Sequence, residues 1–187
     1  YLVSHMKADA GIVISASHNT FEFNGIKFFN GKGFKLDDDL EDEIEDIIVR
    51  DMDVNSHIEG ERLGRSFEAE ENAEEIYAGF LRSTMDETLN GMKIVTDCAN
   101  GAAYKIAERV LRDLGASVIV MGNRPDGINI NAGCGSTHPE ALQQRVLTEN
   151  ADIGLAFDGD ADRLISVDEK GRVIDGDKII YICAKML

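Results

Sequence analysis

Three aspartates occupy alternate positions of Asp158-Gly159-Asp160-Ala161-Asp162-Arg163, with only glycine and alanine between them. On extended backbone, alternate side chains share one side, so this spacing expects the three carboxylates to converge. Like charges held that close repel and raise one another's pKa unless a cation sits among them. An all-oxygen donor set selects a hard cation, Mg²⁺ or Ca²⁺. For calcium, Asp158, Asp160, Asp162 and Glu169 match positions 1, 3, 5 and 12 of an EF-hand loop. Arg163, however, stands where that loop needs glycine, and the flanks read as strands rather than helices. Mg²⁺ is therefore the expected ion, with open positions for water or phosphate oxygens. Arg163 can fork onto a phosphate beside it. The plainer alternative is a solvated acidic turn in which Arg163 pairs with an aspartate.

A second cluster lies near the start, in Ala10-Gly11-Ile12-Val13-Ile14-Ser15-Ala16-Ser17-His18-Asn19. A mostly β-branched apolar run opens into small and hydrogen-bonding residues, the pattern of a short buried strand entering a loop. Strands of α/β proteins carry their chemistry just past their carboxyl ends. Ser17 is the candidate nucleophile, and its hydroxyl needs a base, a metal or local positive potential to activate it. His18 is adjacent, but neighbouring side chains on extended backbone point opposite ways, so the pair is not read as a hydrolase dyad. The alternative here is a polar turn in which serine and asparagine cap the next element of the chain. The two clusters complement each other: a serine lacking a base, and an aspartate group in need of an anion. A phosphoserine at Ser17 would bring roughly −1.5 to −2 charge and complete a metal shell. Phosphoryl transfer asks for positioning and charge neutralisation more than for a strong base. Lys27, in Asn24-Gly25-Ile26-Lys27-Phe28-Phe29, could neutralise charge or move a proton at the accepting hydroxyl, or simply be a strand-surface lysine.

The elements that must position these residues can be read from periodicity and turn chemistry. Strands are expected at 11–15, 24–29 and near Phe34-Lys35-Leu36, followed by an amphipathic helix from Asp37 to Arg50 with Leu40, Ile44, Ile47 and Ile48 on one face. Its acidic run is read as a solvated face. Residues 51–66 are polar with weak periodicity and are taken as a domain boundary. A helix covers about 69–82, with Ile76, Phe80 and Leu81 inward. An α/β alternation then begins: strand 92–97, helix 103–114 ended by Gly115, strand 116–121, a glycine- and asparagine-rich loop 122–137, and a helix over 138–150 with Pro139 in its first turn. Strand 153–157, a hairpin of 164–167 and 172–174, and a last helix from 176 complete the chain. This alternation expects α/β layering, and the hairpin makes the sheet mixed rather than purely parallel.

Composition sets the outer bounds. The 187 residues are 43% hydrophobic and 29% charged, an ordinary globular balance with length enough for a core. A formal net charge of −16 opposes non-specific nucleic-acid binding and an anionic membrane surface, while a few local cations still permit a phosphate ligand. Cys98, Cys134 and Cys183 form an odd, scattered set that fits a reducing cytoplasm better than a disulfide framework or a zinc site. No secretory signal is visible, and no apolar run approaches the ~20 residues of a membrane span. Tyr1 to Met6 read as the end of a helix already under way, without an initiator Met, so the chain is expected to be a piece of a longer protein.

Together these motifs resemble the α-D-phosphohexomutases. The resemblance rests on Ser15-Ala16-Ser17-His18-Asn19, Asn24-Gly25-Ile26-Lys27 and Asp158-Gly159-Asp160-Ala161-Asp162-Arg163, in that order, and spans nearly the whole chain. Pro125-Asp126-Gly127-Ile128-Asn129-Ile130-Asn131 and Cys134-Gly135-Ser136-Thr137-His138 bring it nearest to the bacterial branch acting on glucosamine phosphate. It implies two phosphohexomutase-type α/β domains with mixed sheets layered by helices: residues 1–56 as the end of an incomplete first domain, and 57–187 as the second. It implies that Ser17 carries phosphate, and that Asp158, Asp160, Asp162 and phosphorylated Ser17 hold Mg²⁺. Arg163 would contact the phosphoserine, and His18 and Lys27 would lie in the active site, Lys27 as a proton-transfer group. The implied reaction converts glucosamine 6-phosphate to glucosamine 1-phosphate through a bisphosphate intermediate, for cell-wall precursors. The nearby alternative is the same chemistry on mannose or glucose phosphates; the distant one is a non-catalytic calcium module. Two departures stand out. Thr20 replaces the family's usual proline after Ser-His-Asn, and the family's sugar- and phosphate-reading loops of its third and fourth domains are absent from this sequence. A fragment without them is expected to be inactive as a mutase. The sequence leaves oligomeric state open.

Overall fold

The computed structural model describes residues 1–50, 60, 64–66 and 72–186. The chain forms two units, one of Tyr1–Val13 with Lys27–Tyr77, the other of Ile14–Ile26 with Ala78–Leu187. The expected boundary at 51–66 falls almost wholly outside the described residues, as does the expected helix start at 69–71.

A short helix α1 (Leu2–His5) precedes strand β1 (Ala10–Ser15), which pairs with β2 (Gly25–Asn30) in a two-stranded sheet. The sequence expects β1 to be buried, and it is not: Ile12 is 63% and Ile14 73% exposed. β-branched residues favour the pleated backbone whether or not anything covers them, and two strands alone supply no second layer to do so. The strand expected at 34–36 is also absent, reduced to a single bridge between Phe29 and Lys35. Asn30 Oδ1 accepts the amides of Lys32 and Phe34 at 3.0 and 3.2 Å, which holds the chain in a turn there. Helix α2 (Asp38–Val49) opens on Asp38, Asp39 and Glu41, carboxylates suited to its positive end. Of its expected inward face, Ile44 and Ile47 are half-buried, whereas Leu40 and Ile48 are exposed. Helix α3 (Ala73–Ser83) is capped by Asn72, whose Oδ1 accepts the Glu75 amide at 3.2 Å.

The second unit is built on a five-stranded sheet. Its elements are β3 (Lys93–Asp97), a single 3₁₀ turn (Ala102–Tyr104), α4 (Ile106–Asp113), β4 (Ser117–Met121), α5 (Glu140–Glu149), β5 (Ile153–Phe157), β6 (Leu164–Asp168), β7 (Val173–Ile174) and α6 (Gly176–Met186). The order is β4-β3-β5-β6-β7, parallel from β4 to β5 and antiparallel from β5 to β7, so the sheet is mixed as expected. Alternation along β3 divides the core. Val95 faces Leu142 and Val146 of α5, with Ala156 and Val167; Ile94 faces Ala116, Val118 and Leu111 on the other side. The helix expected from 103 begins instead as the 3₁₀ turn. Ala102 donates its amide to Gly159 O at 2.8 Å, which ties the entry to a neighbouring loop before α4 can start. Asn150 ends α5 in the left-handed conformation (φ 50°) that asparagine tolerates better than most residues. The three cysteines are free, and burial pushes the thiols of Cys98 and Cys134 up to about 12 and about 11. Among the described residues no helix is long and apolar enough to cross a membrane.

Leu142, with no exposed surface, is the largest side chain of this core. Leu142→Ala should lower the unfolding free energy by about 3 kcal/mol, read as a shifted urea midpoint with an unchanged slope. A change within error would show that α5 does not carry the core.

Candidate active site

β5 ends at Phe157 and the chain re-enters the sheet at Leu164, so Asp158 to Arg163 form the connecting loop at the strand's carboxyl end. The loop is a turn and not the extended backbone that the spacing presumed: Ala161 has φ 60° and donates its amide to Asp158 O at 3.1 Å. The carboxylates still converge, with one oxygen each of Asp158, Asp160 and Asp162 lying within 4.8 Å of one another. Asp158 is fully buried; its Oδ1 accepts the Arg163 amide at 3.1 Å. Its Oδ2, equally buried, has no hydrogen-bond partner. Burial first, and then the charges of Asp160 and Asp162, raise the Asp158 pKa. A buried carboxylate oxygen lacking a partner, beside two more carboxylates, fits a divalent cation held by oxygen ligands. The Arg163 guanidinium is exposed, its Nε 4.0 Å from Asp162 Oδ1. Glu169 sits in the β6–β7 turn with Lys170 Nζ 3.7 Å away and takes no part in the group. With strands on both flanks, the EF-hand correspondence has no structural counterpart.

Ser17 belongs to the same unit as this loop. Its backbone is left-handed (φ 52°), and its amide donates to Ser15 Oγ at 2.8 Å. That conformation overturns the expectation that Ser17 and His18 point apart, since Ser17 Oγ lies 3.4 Å from His18 Nδ1. The Ser17 carbonyl accepts two hydrogen bonds, one from the aspartate loop, Gly159 N at 3.0 Å, and one from the loop before α5, Asn131 Nδ2 at 2.7 Å. Gly159 is needed for this approach, because a Cβ there would run into Ser17 O and approach Asn131 Nδ2 to 2.7 Å. The serine loop is thus fastened directly to the aspartate loop through backbone groups. At the position of the missing proline, the Thr20 hydroxyl hydrogen-bonds the Glu22 carboxyl and holds it below its ordinary range. Lys27 is half-buried on β2 and belongs to the first unit.

Two residues of the site's support are not evident from sequence. Asp97, with no exposed surface, accepts Ala99 N at 3.0 Å and Gly135 N at 2.8 Å, bracing the loops after β3 and before α5. The available signal is an aspartate at the carboxyl end of a strand with an apolar centre, Ile94-Val95. Asn131 reads in sequence only as part of a loop motif; its reach to Ser17 is a tertiary contact that no local pattern announces.

Comparison with known proteins identifies the setting. Residues 74–171 match phosphoglucomutase/phosphomannomutase, alpha/beta/alpha domain II, and residues 1–54 match domain I of the same family. The chain belongs to the phosphoglucomutase/phosphomannomutase family. It is 59% identical over 187 residues to the phosphoglucosamine mutase of Clostridium acetobutylicum, covering all of this chain and 42% of that relative. The chain therefore spans less than half the length of that family member. Among solved structures it resembles a family protein from Burkholderia thailandensis (TM-score 0.74, 26% identity, covering 95% of this chain and 37% of that one). It also shares the fold of Aspergillus fumigatus N-acetylphosphoglucosamine mutase, solved with GlcNAc-6P and magnesium (TM-score 0.60, 22% identity, covering 98% and 49%).

The raised pKa of Asp158 bears on stability. Its folded pKa lies above the unfolded value, so without metal it contributes stability present at low pH and lost as pH rises from the unfolded value through the raised folded one. Asp158→Asn should stabilise the metal-free chain by about 1 kcal/mol at pH 7 and make its melting temperature insensitive to added divalent cation. Both are read by thermal melts with and without the ion, and a variant no more stable than the parent would refute the strain.

Proposed function

We propose that this chain carries the phosphate-bearing and metal-binding loops of a phosphohexomutase acting on glucosamine phosphate. The observation that carries the reading is the fastening of the Ser17 loop to the Asp158–Asp162 loop by the 3.0 Å bond from Gly159 N to Ser17 O. A phosphate on Ser17 Oγ would then lie close to three carboxylates and need a cation between them. Mg²⁺, held by Asp158, Asp160, Asp162 and the phosphoserine, would neutralise charge on the transferring phosphoryl group.

The remaining roles fall to the chain's own side chains. The bond from phosphorus to Ser17 Oγ breaks as one forms to a sugar hydroxyl oxygen. Lys27, in its neutral form, would accept that hydroxyl's proton, and the electron pair of the broken bond stays on Ser17 Oγ. The exposed guanidinium of Arg163 is free to swing from Asp162 onto the phosphoserine oxygens. His18, 3.4 Å from Ser17 Oγ, orients or protonates the departing serine oxygen. In the reverse half-reaction Ser17 takes phosphate back from the bisphosphate at its other position. The 59% identity to a phosphoglucosamine mutase, together with the loop at 125–138, favours glucosamine phosphate over the glucose and mannose phosphates of the family description. Because the chain spans 42% of that relative, mutase turnover is assigned to a longer protein of which this chain is one part.

Three results are expected. Peptide mass spectrometry of protein purified from cells finds phosphate on Ser17 and none on Ser15. Asp160→Asn weakens Mg²⁺ binding, measured by calorimetry, by at least about tenfold. The 187 residues alone give little or no conversion of glucosamine 6-phosphate in a coupled assay. Unchanged Mg²⁺ affinity in the variant would remove the metal assignment, and enzyme-like turnover by this chain alone would remove the assignment to a longer protein.

A further inference from the structure

We infer that Asn131 is a positioning residue that holds the Ser17 loop in register with the aspartate loop, so that a phosphate on Ser17 and a divalent cation share one site. The inference rests on the functional reading above for what is positioned, and on geometry alone for the positioning.

Asn131 lies on the long loop between β4 and α5 and is 3% exposed. Its Nδ2 donates to Ser17 O and to Asn19 O, both at 2.7 Å, so one side-chain amide spans both sides of His18. Two carbonyl partners admit only the nitrogen in this place, which settles the orientation of the amide. Its own backbone is left-handed (φ 55°) and anchored by Asn131 N donating to Ala99 O at 2.9 Å. Asparagine meets both demands, because it tolerates that backbone and carries two donors on a short stem.

The arrangement has a cost. Asn131 Oδ1 is buried and has no hydrogen-bond partner. A buried polar atom left so is unusual and calls for a reason. A helix or sheet could fix a loop without that penalty. What the amide adds is a second donor to the Ser17 carbonyl, beside Gly159 N at 3.0 Å, and a lock on Asn19 beyond it. With Ser17 N held by Ser15 Oγ at 2.8 Å, both peptide groups flanking the Ser17 side chain are fixed. The left-handed strain at Ser17 is thereby sustained by its neighbours. Only Oγ is left to turn. Asn131 makes none of the carboxylate contacts of the metal group, so its effect on a cation passes through the backbone of Ser17 and of Gly159, against which its amide packs.

The test uses two variants of this chain. Asn131→Gly removes the amide at a left-handed position glycine accepts without strain; Asn131→Asp keeps the size and replaces both donors by acceptors. Hydrogen exchange at the Gly159 amide should be about tenfold faster in both, with strand amides such as Ala156 unchanged. Equal exchange at Gly159 in both variants and parent would overturn the clamp. The second arm compares Mg²⁺ affinity with Ser17 unmodified and with phosphoserine installed there during translation. In the parent, phosphoserine should tighten Mg²⁺ by about tenfold, and Asn131→Gly should lose that gain while leaving the unmodified affinity within twofold. A variant keeping the full gain overturns the positioning role, since a merely structural residue would lower both affinities together or neither. If phosphoserine gives the parent no gain, the metal-sharing reading of Ser17 fails instead, and the exchange data decide the clamp by themselves.

Discussion

The hydrogen bond from Gly159 N to Ser17 O is the contact on which the site depends. It joins two loops far apart in sequence, one entered from β1 and the other closing β5, and it does so through backbone atoms alone. Its geometry is strict in another way. A Cβ on residue 159 would occupy the space of Ser17 O, so the approach exists only because that residue is glycine. The same peptide is used from its other side, where Gly159 O accepts the Ala102 amide at 2.8 Å. One glycine therefore links the serine loop, the aspartate loop and the entry to α4, and the small spacers among the aspartates are a condition of close packing as much as of charge.

Around that contact the chain concentrates unfavourable electrostatics. Asp158 is buried with one oxygen bonded to Arg163 N and the other without a hydrogen-bond partner, while Asp160 and Asp162 add like charge. A solvated acidic turn would have no reason to bury its first carboxylate. Arg163 does not relieve the strain, since its guanidinium stands off in solvent at 4.0 Å from Asp162. Such an arrangement costs stability, a cost that a bound cation would offset. The sheet tolerates it because the two apolar clusters on its faces are built from other positions: Leu142, Val146 and Val95 on one, Ile94 and Val118 on the other.

Much of this is legible in the sequence, and the reasons differ by element. β3, β4, β5 and the β6–β7 hairpin can be read because each strand carries a short apolar run bounded by glycine or asparagine turns, both local signals. The helices α4 and α5 are legible on the same grounds, although α4 starts later than its periodicity suggests because a hydrogen bond to Gly159, invisible locally, replaces its first turn. β1 reads correctly as a strand and wrongly as buried, since composition reports what a segment would bury and not whether anything covers it. The aspartate group is legible because three like charges on small spacers are costly to gather unless a cation joins them.

Sequence by itself supplied the candidates, the side chains of a type to carry phosphate or hold a hard cation, and the family these motifs belong to. Tertiary structure alone decided the register. The left-handed backbone at Ser17 brings His18 Nδ1 to 3.4 Å from Ser17 Oγ, and the buried Asp97 that braces two loops and the reach of Asn131 to both Ser17 O and Asn19 O end on backbone amides and carbonyls. Backbone groups carry no identity in the sequence, so contacts made by them become visible only once the chain has folded.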